Sequence, residues 1–374
     1  MKKTFKYRLY TNKRTFNKAG YWLGLCRNLY NVALEQRILA YKQNKKSLSY
    51  FSQSNEMPAL KKEIPEYKDI NAQTLRESLQ RLDFAFRRFY TRVKNGEKPG
   101  FPRFKGVNRY NSFNLLQNGW RLEGKYLTIT KLGRFKLRLS RPIEGSIRTI
   151  TIYRNVMDKW YACFNCDNVP ERKLPASDKE IGLDVGIKSF CVDSEGNRTD
   201  NPLYLRQVEA ILRRKQRRLS RREKGSNRRG KARLLVAKCH EKITNQRNDF
   251  LHKAANYYIE NYGTIYIEDL RITNMVRNHH LAKSISDSSW GKFFGFLSYK
   301  AEEAGRTVVR VNPAGTSQIC SRCGTKVEKT LADRIHDCPV CGLIVDRDLN
   351  SAIDVLQAGQ ACQALTKEVA LCVA

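Results

Sequence analysis

This 374-residue sequence lacks long apolar runs and has little acidic charge beside its basic charge. No uninterrupted apolar stretch approaches the roughly 18 residues of a membrane span. The opening Met1-Lys-Lys-Thr-Phe-Lys-Tyr7 carries no apolar core of a signal peptide, so a soluble intracellular chain with no membrane partner is expected. Asp and Glu total 36 against 70 Lys and Arg, a formal charge of +34. Spread over most of the length, that excess points to a polyanionic partner, nucleic acid first and an anionic membrane surface second. Without a secretory signal the eleven cysteines do not read as a disulfide framework; metal ligation and inert buried thiols are expected instead. The length suffices for two or three domains with at least one sizeable core.

What is present begins with spacing. Cys320, Cys323, Cys338 and Cys341 form C-x2-C-x14-C-x2-C. Two knuckles at that separation set four thiolates tetrahedrally around Zn²⁺, so one structural zinc ribbon is predicted. Cys163 and Cys166 also spell C-x-x-C, but they lie in the alternating run Trp160-Tyr-Ala-Cys-Phe-Asn-Cys166. Neighbouring strand side chains point to opposite faces, so residues three apart do not converge, and these two read as strand cysteines.

The chain is organised around Ile181-Gly-Leu-Asp-Val-Gly-Ile-Lys-Ser-Phe-Cys-Val192, two strands that bend at Gly186-Ile-Lys188. Asp184 sits inside the first apolar run, where a carboxylate is costly unless paired, hydrogen-bonded or bound to a cation. A strand-end Asp that caps a turn is the plain alternative. Two further carboxylates stand in similar settings, Glu268 after Thr264-Ile-Tyr-Ile267 and Asp348 in Val345-Asp-Arg-Asp-Leu-Asn350. Acids at the ends of separate elements can converge on divalent ions, and Mg²⁺ prefers such oxygen ligands, whereas the cysteines suit a softer metal. Spacing alone does not join the three.

Taken in order, residues 2–10 alternate basic with apolar side chains, a half-buried strand with one cationic face. A helix from about residue 16 aligns Trp22, Cys26, Leu29, Tyr30 and Ala33. Residues 44–67 read as a polar loop. A second helix, from about residue 71, carries Leu75, Leu79, Leu82, Phe86, Phe89 and Val93 on one stripe, with Arg76, Arg81, Arg87, Arg88 and Arg92 on its outer face. Alternating segments at 112–116, 126–129, 134–139, 146–153 and 160–169 predict a small β-barrel or sandwich that the first strand completes, the helices being an insertion. Residues 170–178 form a linker. Residues 203–261 are helical, split at Gly225-Ser-Asn-Arg-Arg-Gly230, with thirteen Lys or Arg between Arg206 and Arg233. Self-repulsion at that density disfavours a bare helix, so phosphates alongside are expected. Strands at 263–270 and 307–311, a helix at 290–305 and a final one from residue 350 complete an α/β layer pattern.

Six stretches resemble the transposon-encoded TnpB (OrfB) proteins, relatives of the compact type V CRISPR effector nucleases. They are Gly100-Phe-Pro-Arg-Phe-Lys105, Gly182-Leu-Asp-Val-Gly-Ile-Lys188, Ile267-Glu-Asp-Leu270, Ser284-Ile-Ser-Asp-Ser-Ser-Trp290, Ser317-Gln-Ile-Cys-Ser-Arg-Cys-Gly324 and Asp346-Arg-Asp-Leu-Asn-Ser-Ala352, in the expected order. The resemblance implies a multidomain α/β protein: a RuvC-like (RNase H fold) nuclease domain with an inserted zinc ribbon, plus an N-terminal β-barrel (wedge) interrupted by a helical recognition domain. The implied boundaries are 1–14 for the first wedge strand, 15–108 for the recognition helices and 109–178 for the rest of the wedge. The nuclease with its basic helices spans 179–317, the ribbon 318–343, and the nuclease end with a mobile tail 344–374, the tail beginning after Gln357. Carried over by position, Asp184, Glu268 and Asp348 form a triad for two Mg²⁺ ions, with Asp348 preferred to Asp346 and Glu268 to Asp269. The implied partners are a guide RNA from the transposon end and a double-stranded target DNA, in the cytoplasm of a prokaryotic cell and associated with its nucleoid. The implied function is an RNA-guided DNA endonuclease that cuts next to a short flanking motif by two-metal-ion hydrolysis. A nuclease-inactive RNA-guided regulator and a transposase are the alternatives.

Two nucleic-acid surfaces are expected besides. Arg213, Arg214, Arg217 and Arg218 should contact phosphates with little base discrimination. The flanking duplex should be read by Gln73 and Arg76 in the first turn of the second helix, beside Asn71 and Thr74. The segment around Tyr50 and Ser54, and Asn111, would assist.

Overall fold

Alternation of basic and apolar side chains makes Lys3–Tyr10 a strand, β1, with Phe5, Tyr7 and Leu9 buried and the charged residues on the other face. The structure, a computed structural model, describes residues 1–373 apart from 108, 117, 331 and 332, with side chains through residue 364. It divides into two units, Met1–Pro170 and Glu171–Ala374. Among the described residues no helix is long and apolar enough to cross a membrane.

In the first unit β1 is followed by α1 (Lys13–Asn44), α2 (Tyr50–Asn55), α3 (Met57–Glu63), a 3₁₀ turn (Pro65–Asp69) and α4 (Ala72–Lys94). The strands β2 (Ser112–Leu115), β3 (Trp120–Glu123), β4 (Tyr126–Ile129), β5 (Gly133–Arg138), β6 (Ser146–Arg154) and β7 (Trp160–Asp167) come next. They join β1 in one antiparallel sheet of order β2-β6-β7-β1-β5-β4-β3. The first strand therefore lies mid-sheet, antiparallel to β7 from Lys3↔Cys166 and to β5 from Arg8↔Arg138. The described ladder ends on β2 and β3, which pair with β6 and β4 and not with each other, so it stands as a seven-stranded sheet. Along β7 the burial alternates, which leaves Cys166 buried and Cys163 on the opposite, half-buried face. Trp22 and Leu34 of α1, with Leu75, Leu79 and Leu82 of α4, extend the core over the sheet, and Trp22 meets Phe113 of β2 at 5.6 Å.

Three features of this unit depart from the sequence reading. Residues 44–67 are largely helical, not a loop. A capping box between Ser49 and Ser52 starts α2, and its buried Gln53 accepts from Arg37 at 2.8 Å and donates to the Ala33 carbonyl at 2.9 Å. Polarity there marks internal hydrogen bonds, not exposure. Arg81 turns inward, donating to the Ser112 carbonyl at 2.6 Å and to Asn114 at 2.9 Å, with its guanidinium over Tyr110. Val93 leaves the apolar stripe and is 51% exposed, because residues 91–94, the last turn of α4, are exposed throughout.

The second unit contains β8 (Glu180–Asp184), β9 (Ser189–Asp193), β10 (Arg198–Asp200), α5 (Tyr204–Ser220), α6 (Asn227–Asn261) and β11 (Thr264–Glu268). It continues with α7 (Ile272–Met275), α8 (Ala282–Ser288), α9 (Trp290–Ala304), β12 (Thr307–Val311), β13 (Ile335–Asp337), β14 (Ile344–Asp346) and α10 (Arg347–Val373). Five strands form a sheet of order β10-β9-β8-β11-β12, in which β11 runs parallel to both β8 and β12. Its near-continuous apolar run is what a strand covered on both faces requires. Ile265 and Ile267 face a core with Phe293 and Leu297 of α9 and Leu251 of α6, while Tyr266 faces Val355 of α10. A Cβ on Gly182 would sit 2.2 Å from the Ala352 carbonyl, so only glycine lets α10 lie this close on β8.

The tail after Gln357, read from sequence as mobile, continues α10 as far as the side chains are described. Gln363 accepts from the Tyr266 hydroxyl at 3.0 Å and Gln360 donates to Glu180 at 2.5 Å, with Gly359 against the Tyr266 ring. The side chains of 365–373 and residue 374 lie outside the described residues.

Candidate functional site

Register brings two of the carboxylates together. The pair Ile267↔Leu183 closes the β11–β8 ladder, so Glu268 and Asp184 end adjacent parallel strands. Asp348 stands in the first turn of α10, which packs along β8. Asp184 senses the other two. Burial, then the negative charges of Glu268 and Asp348, hold the Asp184 carboxyl well above its usual range, against Arg347 and the Val185 amide. Glu268 is only 7% exposed and accepts from the Thr316 hydroxyl at 2.5 Å. Burial raises its carboxyl, the Thr316 bond lowers it, and the charge of Asp354 raises it again. Like charges gathered in a desolvated site disfavour each other's ionised form until a cation joins them. Carboxylate oxygens are the ligands Mg²⁺ prefers, but among the described residues the group whose ligand atoms all lie within 4.8 Å of one another is that of the four cysteines.

The neighbouring acids are committed elsewhere. Asp346 caps α10, accepting from the amides of Asp348 at 2.9 Å and Leu349 at 3.3 Å, and pairs with Arg198 at 2.7 Å. Burial alone would raise its carboxyl, but these partners hold it below its usual range. Asp269 points to solvent and pairs with Arg310 at 2.9 Å. Asp287, from the Ser284–Trp290 stretch, is buried and binds Arg247 at 2.6 Å and the amide of Leu205 at the start of α5, a structural clamp between helices.

Two contributors escape sequence reasoning. Thr316 is a buried threonine in a loop, with no pattern that singles it out. Asp354 is 7% exposed on α10, and burial pushes its carboxyl up to about 6 with no hydrogen bond opposing it. Its signal was there: Asn350, Ser351 and Asp354 share a polar stripe within an otherwise apolar helix face.

The cysteines assemble as spacing predicts. The four Sγ atoms lie within 4.8 Å of one another, the one such group among the described residues. Cys320 and Cys341 are 3.5 Å apart and Cys323 and Cys338 3.6 Å. A tetrahedron with about 2.3 Å Zn–S bonds separates its sulfurs by about 3.8 Å, so the cluster fits Zn²⁺. Buried Asn350 ties it to α10, donating to the Ile319 carbonyl at 2.7 Å and accepting from the Ser321 amide at 3.0 Å.

On α5, Arg213, Arg214, Arg217 and Arg218 are all exposed and, with Arg221 and Arg222, line a groove of about 690 Å³. Arg213 is partly engaged by Glu209 at 2.7 Å. In the first unit the proposed readers divide. Asn71 is used as the N-cap of α4, accepting from the Gln73 amide, and Thr74 is buried against the Asn114 carbonyl, so neither faces outward as expected. Arg76 is exposed, whereas Gln73 is half-buried and its Oε1 is buried without a partner. Tyr50 and Ser54, both half-buried, sit on α2, which packs against α4; Asn111, also half-buried, directly precedes β2.

Three family models match the chain: one described as "Probable transposase" over residues 163–279, one as "Cas12f1-like, TNB domain" over 290–355 and one as "Helix-turn-helix domain" over 1–46. The last stretch is here a strand and one long helix, β1 and α1. A Streptomyces pristinaespiralis protein, named as a candidate RNA-guided DNA endonuclease, is 32% identical over 372 residues, covering 97% of this chain and 91% of that protein. The CRISPR-associated endodeoxyribonuclease Cas12f1 of Sulfoacidibacillus thermotolerans is 24% identical over 330 residues, 76% of each protein. Among solved structures, a mini-RNA-guided endonuclease of the CRISPR-Cas type shares the fold with a TM-score of 0.54 at 9% identity, covering 96% of this chain and 92% of that one.

Proposed function

The chain belongs to the transposon-encoded TnpB (OrfB) family, and on that premise we propose that it is an RNA-guided DNA endonuclease with a guide RNA and double-stranded DNA as partners. The placement of Asp184 and Glu268 at the ends of adjacent parallel strands, with the charge of Asp348 at a helix start acting on Asp184, supports this reading. Counted from β8, the sheet runs 3-2-1-4-5, which supports a RuvC-like (RNase H) nuclease unit.

In this reading Asp184, Glu268 and Asp348 hold two Mg²⁺ ions. Such a pair supplies an activated water on one side of the scissile phosphate and charge stabilisation of the leaving oxygen on the other. The rest is positioning by the protein. Thr316 fixes one Glu268 oxygen, and Asp346, itself neutralised by Arg198, fixes the first turn of α10 and so Asp348. The four cysteines hold one structural Zn²⁺. Guide pairing would read the target, while Gln73, Arg76, Tyr50, Ser54 and Asn111 would read a short flanking duplex.

The test is to sequence the RNA that copurifies with the protein, program it, and offer Mg²⁺ and a target library with randomised flanks. Guided cuts beside one enriched flank are expected, and Gln73→Ala with Arg76→Ala should change that flank. Cleavage independent of RNA would defeat the reading. Guided binding without cutting would turn it to a regulator, and strand transfer in place of hydrolysis to a transposase.

A further inference from the structure

The stretch Gly100-Phe-Pro-Arg-Phe-Lys105 is used by neither the carboxylates nor the cysteines. Its Phe101 meets α4 edge-on, with ring centres 5.6 Å from Phe86 at 87° and 5.4 Å from Phe89 at 79°. Tyr90 packs against the same two rings, at 6.2 Å and 5.3 Å. Four aromatic rings thus cluster, yet Phe101 and Tyr90 remain 49% and 57% exposed. With Tyr41 and Leu48 they line a cavity of about 620 Å³ inside the first unit. That volume lies in the roughly 300–1,000 Å³ range of small-ligand sites. Beneath it the guanidinium of Arg37 lies 5.1 Å from the Phe86 ring centre, its charge already met by Asp83 and its Nε by Gln53. Arg37 therefore stiffens the wall, and Lys42 is the cation the cavity offers. Lys45 stands 5.5 Å from the Tyr41 ring centre at the same helix end.

Open aromatic faces beside cations, in a chain of charge +34, form the kind of platform on which unpaired bases stack. We propose that this hollow binds an unpaired base of a single-stranded RNA, stacked on Phe101 or Tyr90, with the adjoining phosphate on Lys42. The proposal rests on the endonuclease reading for the presence of RNA. That reading also selects RNA over DNA. The target strand is paired with the guide, the flank is a duplex and the displaced strand is extended single-stranded DNA with no loops of its own, whereas loops and bulges of a structured RNA present splayed bases to a preformed pocket.

The experiment has two arms. Ultraviolet crosslinking of the whole protein–guide-RNA complex, followed by peptide mapping, should attach a nucleotide to Tyr90 or Phe101. Binding of a short oligouridylate and an equally short oligothymidylate is then compared between the parent and the Tyr90→Leu/Phe101→Leu variant. Both positions are half-exposed, so the variant should melt with the parent. The expected result is about tenfold weaker oligouridylate binding, unchanged between low and high salt, because the stacking removed releases no counterions. Unchanged affinity, a loss that vanishes at high salt, or a loss confined to the DNA oligomer would overturn the proposal. So would a parent dimer that the variant abolishes, which would assign the hollow to a second copy of the chain. Guided cleavage by the parent is measured alongside. Cleavage without the crosslink removes only the pocket, and the crosslink without cleavage removes only the nuclease reading.

Discussion

Four cysteines and three carboxylates are gathered within the second unit by different means. The cysteines arrive as two local knuckles whose sulfurs lie within 4.8 Å, tied to the remainder through Asn350. The carboxylates come from two strands distant in sequence, β8 and β11, and from a helix that follows the ribbon, and only sheet register and the docking of α10 unite them. Hydrogen bonding to Thr325 lowers the Cys323 thiol to about 6, which readies it for a metal, while Asp184 is held beside the like charges of Glu268 and Asp348. The first arrangement is a staple for the chain, the second a strained site held by the surrounding fold. Removing a ligand should therefore unfold one and leave the other folded.

The largest effect should fall on the carboxylates. Asp184→Ala, Glu268→Ala and Asp348→Ala should each lower guided cleavage about a thousandfold or more, since metal-ion stabilisation is worth several kcal/mol and each 1.36 kcal/mol is tenfold in rate. RNA binding, target binding and melting temperature should hold. Asp346→Ala should instead lose about 1 kcal/mol of stability through the missing cap and keep most of the cutting. A reversed pattern, with Asp346 essential and Asp348 dispensable, would transfer the role between them.

Next in size is the staple. Cys320→Ser or Cys338→Ser should release the metal and open the C-terminal third to protease, because structural zinc supplies on the order of 10 kcal/mol to small folds that depend on it. Metal analysis of the parent should find one zinc per chain. Active protein without zinc would remove the distinction between the two sites.

Legibility from sequence follows the same division. The ribbon could be read from spacing because its ligands are close in the chain, and the apolar runs of β8 and β11 announce buried strands. That Asp184 and Glu268 end adjacent strands depends on a pairing no local pattern records, so the triad came from resemblance. Helix faces misled wherever a polar side chain had an internal partner. Arg81 resembles its exposed neighbours in sequence but completes the hydrogen bonds of β2, and Gln53 in an apparently polar loop anchors Arg37. Asp346 and Asp348 differ only in that one caps the helix the other sits on, which a composition pattern cannot express.

A smaller effect is expected from the arginine face, where neither metal nor register is involved. Reversing Arg213, Arg214, Arg217 and Arg218 to Glu should weaken guide-RNA binding across all sequences alike. It should also flatten the plot of log affinity against log salt by about 0.7–0.9 for each phosphate that the variant no longer neutralises. Arg213 should matter least, being shared with Glu209. A salt slope equal to the parent's would place the phosphates elsewhere.

The smallest effect tests whether the acid site really is strained, through Asp354, which adds negative charge beside Glu268. Its carboxyl is raised by burial from 3.8 to about 6 in the folded protein. The folded state therefore keeps this proton to higher pH than the unfolded chain does, so its contribution to stability is full below about pH 4 and is lost as pH rises through about 6. Asn cannot ionise and removes that loss. In chelator-treated protein, Asp354→Asn should melt above the parent at neutral pH and with it near pH 4, the difference opening between the two. An Asp346→Asn control should go the other way, because that carboxyl is held below its usual range by Arg198 and the helix amides and stabilises the fold when ionised. If Asp354→Asn melts below the parent at neutral pH, the ionised carboxylate is a favourable element of the metal-free fold, and the contrast between strained acids and waiting thiols fails.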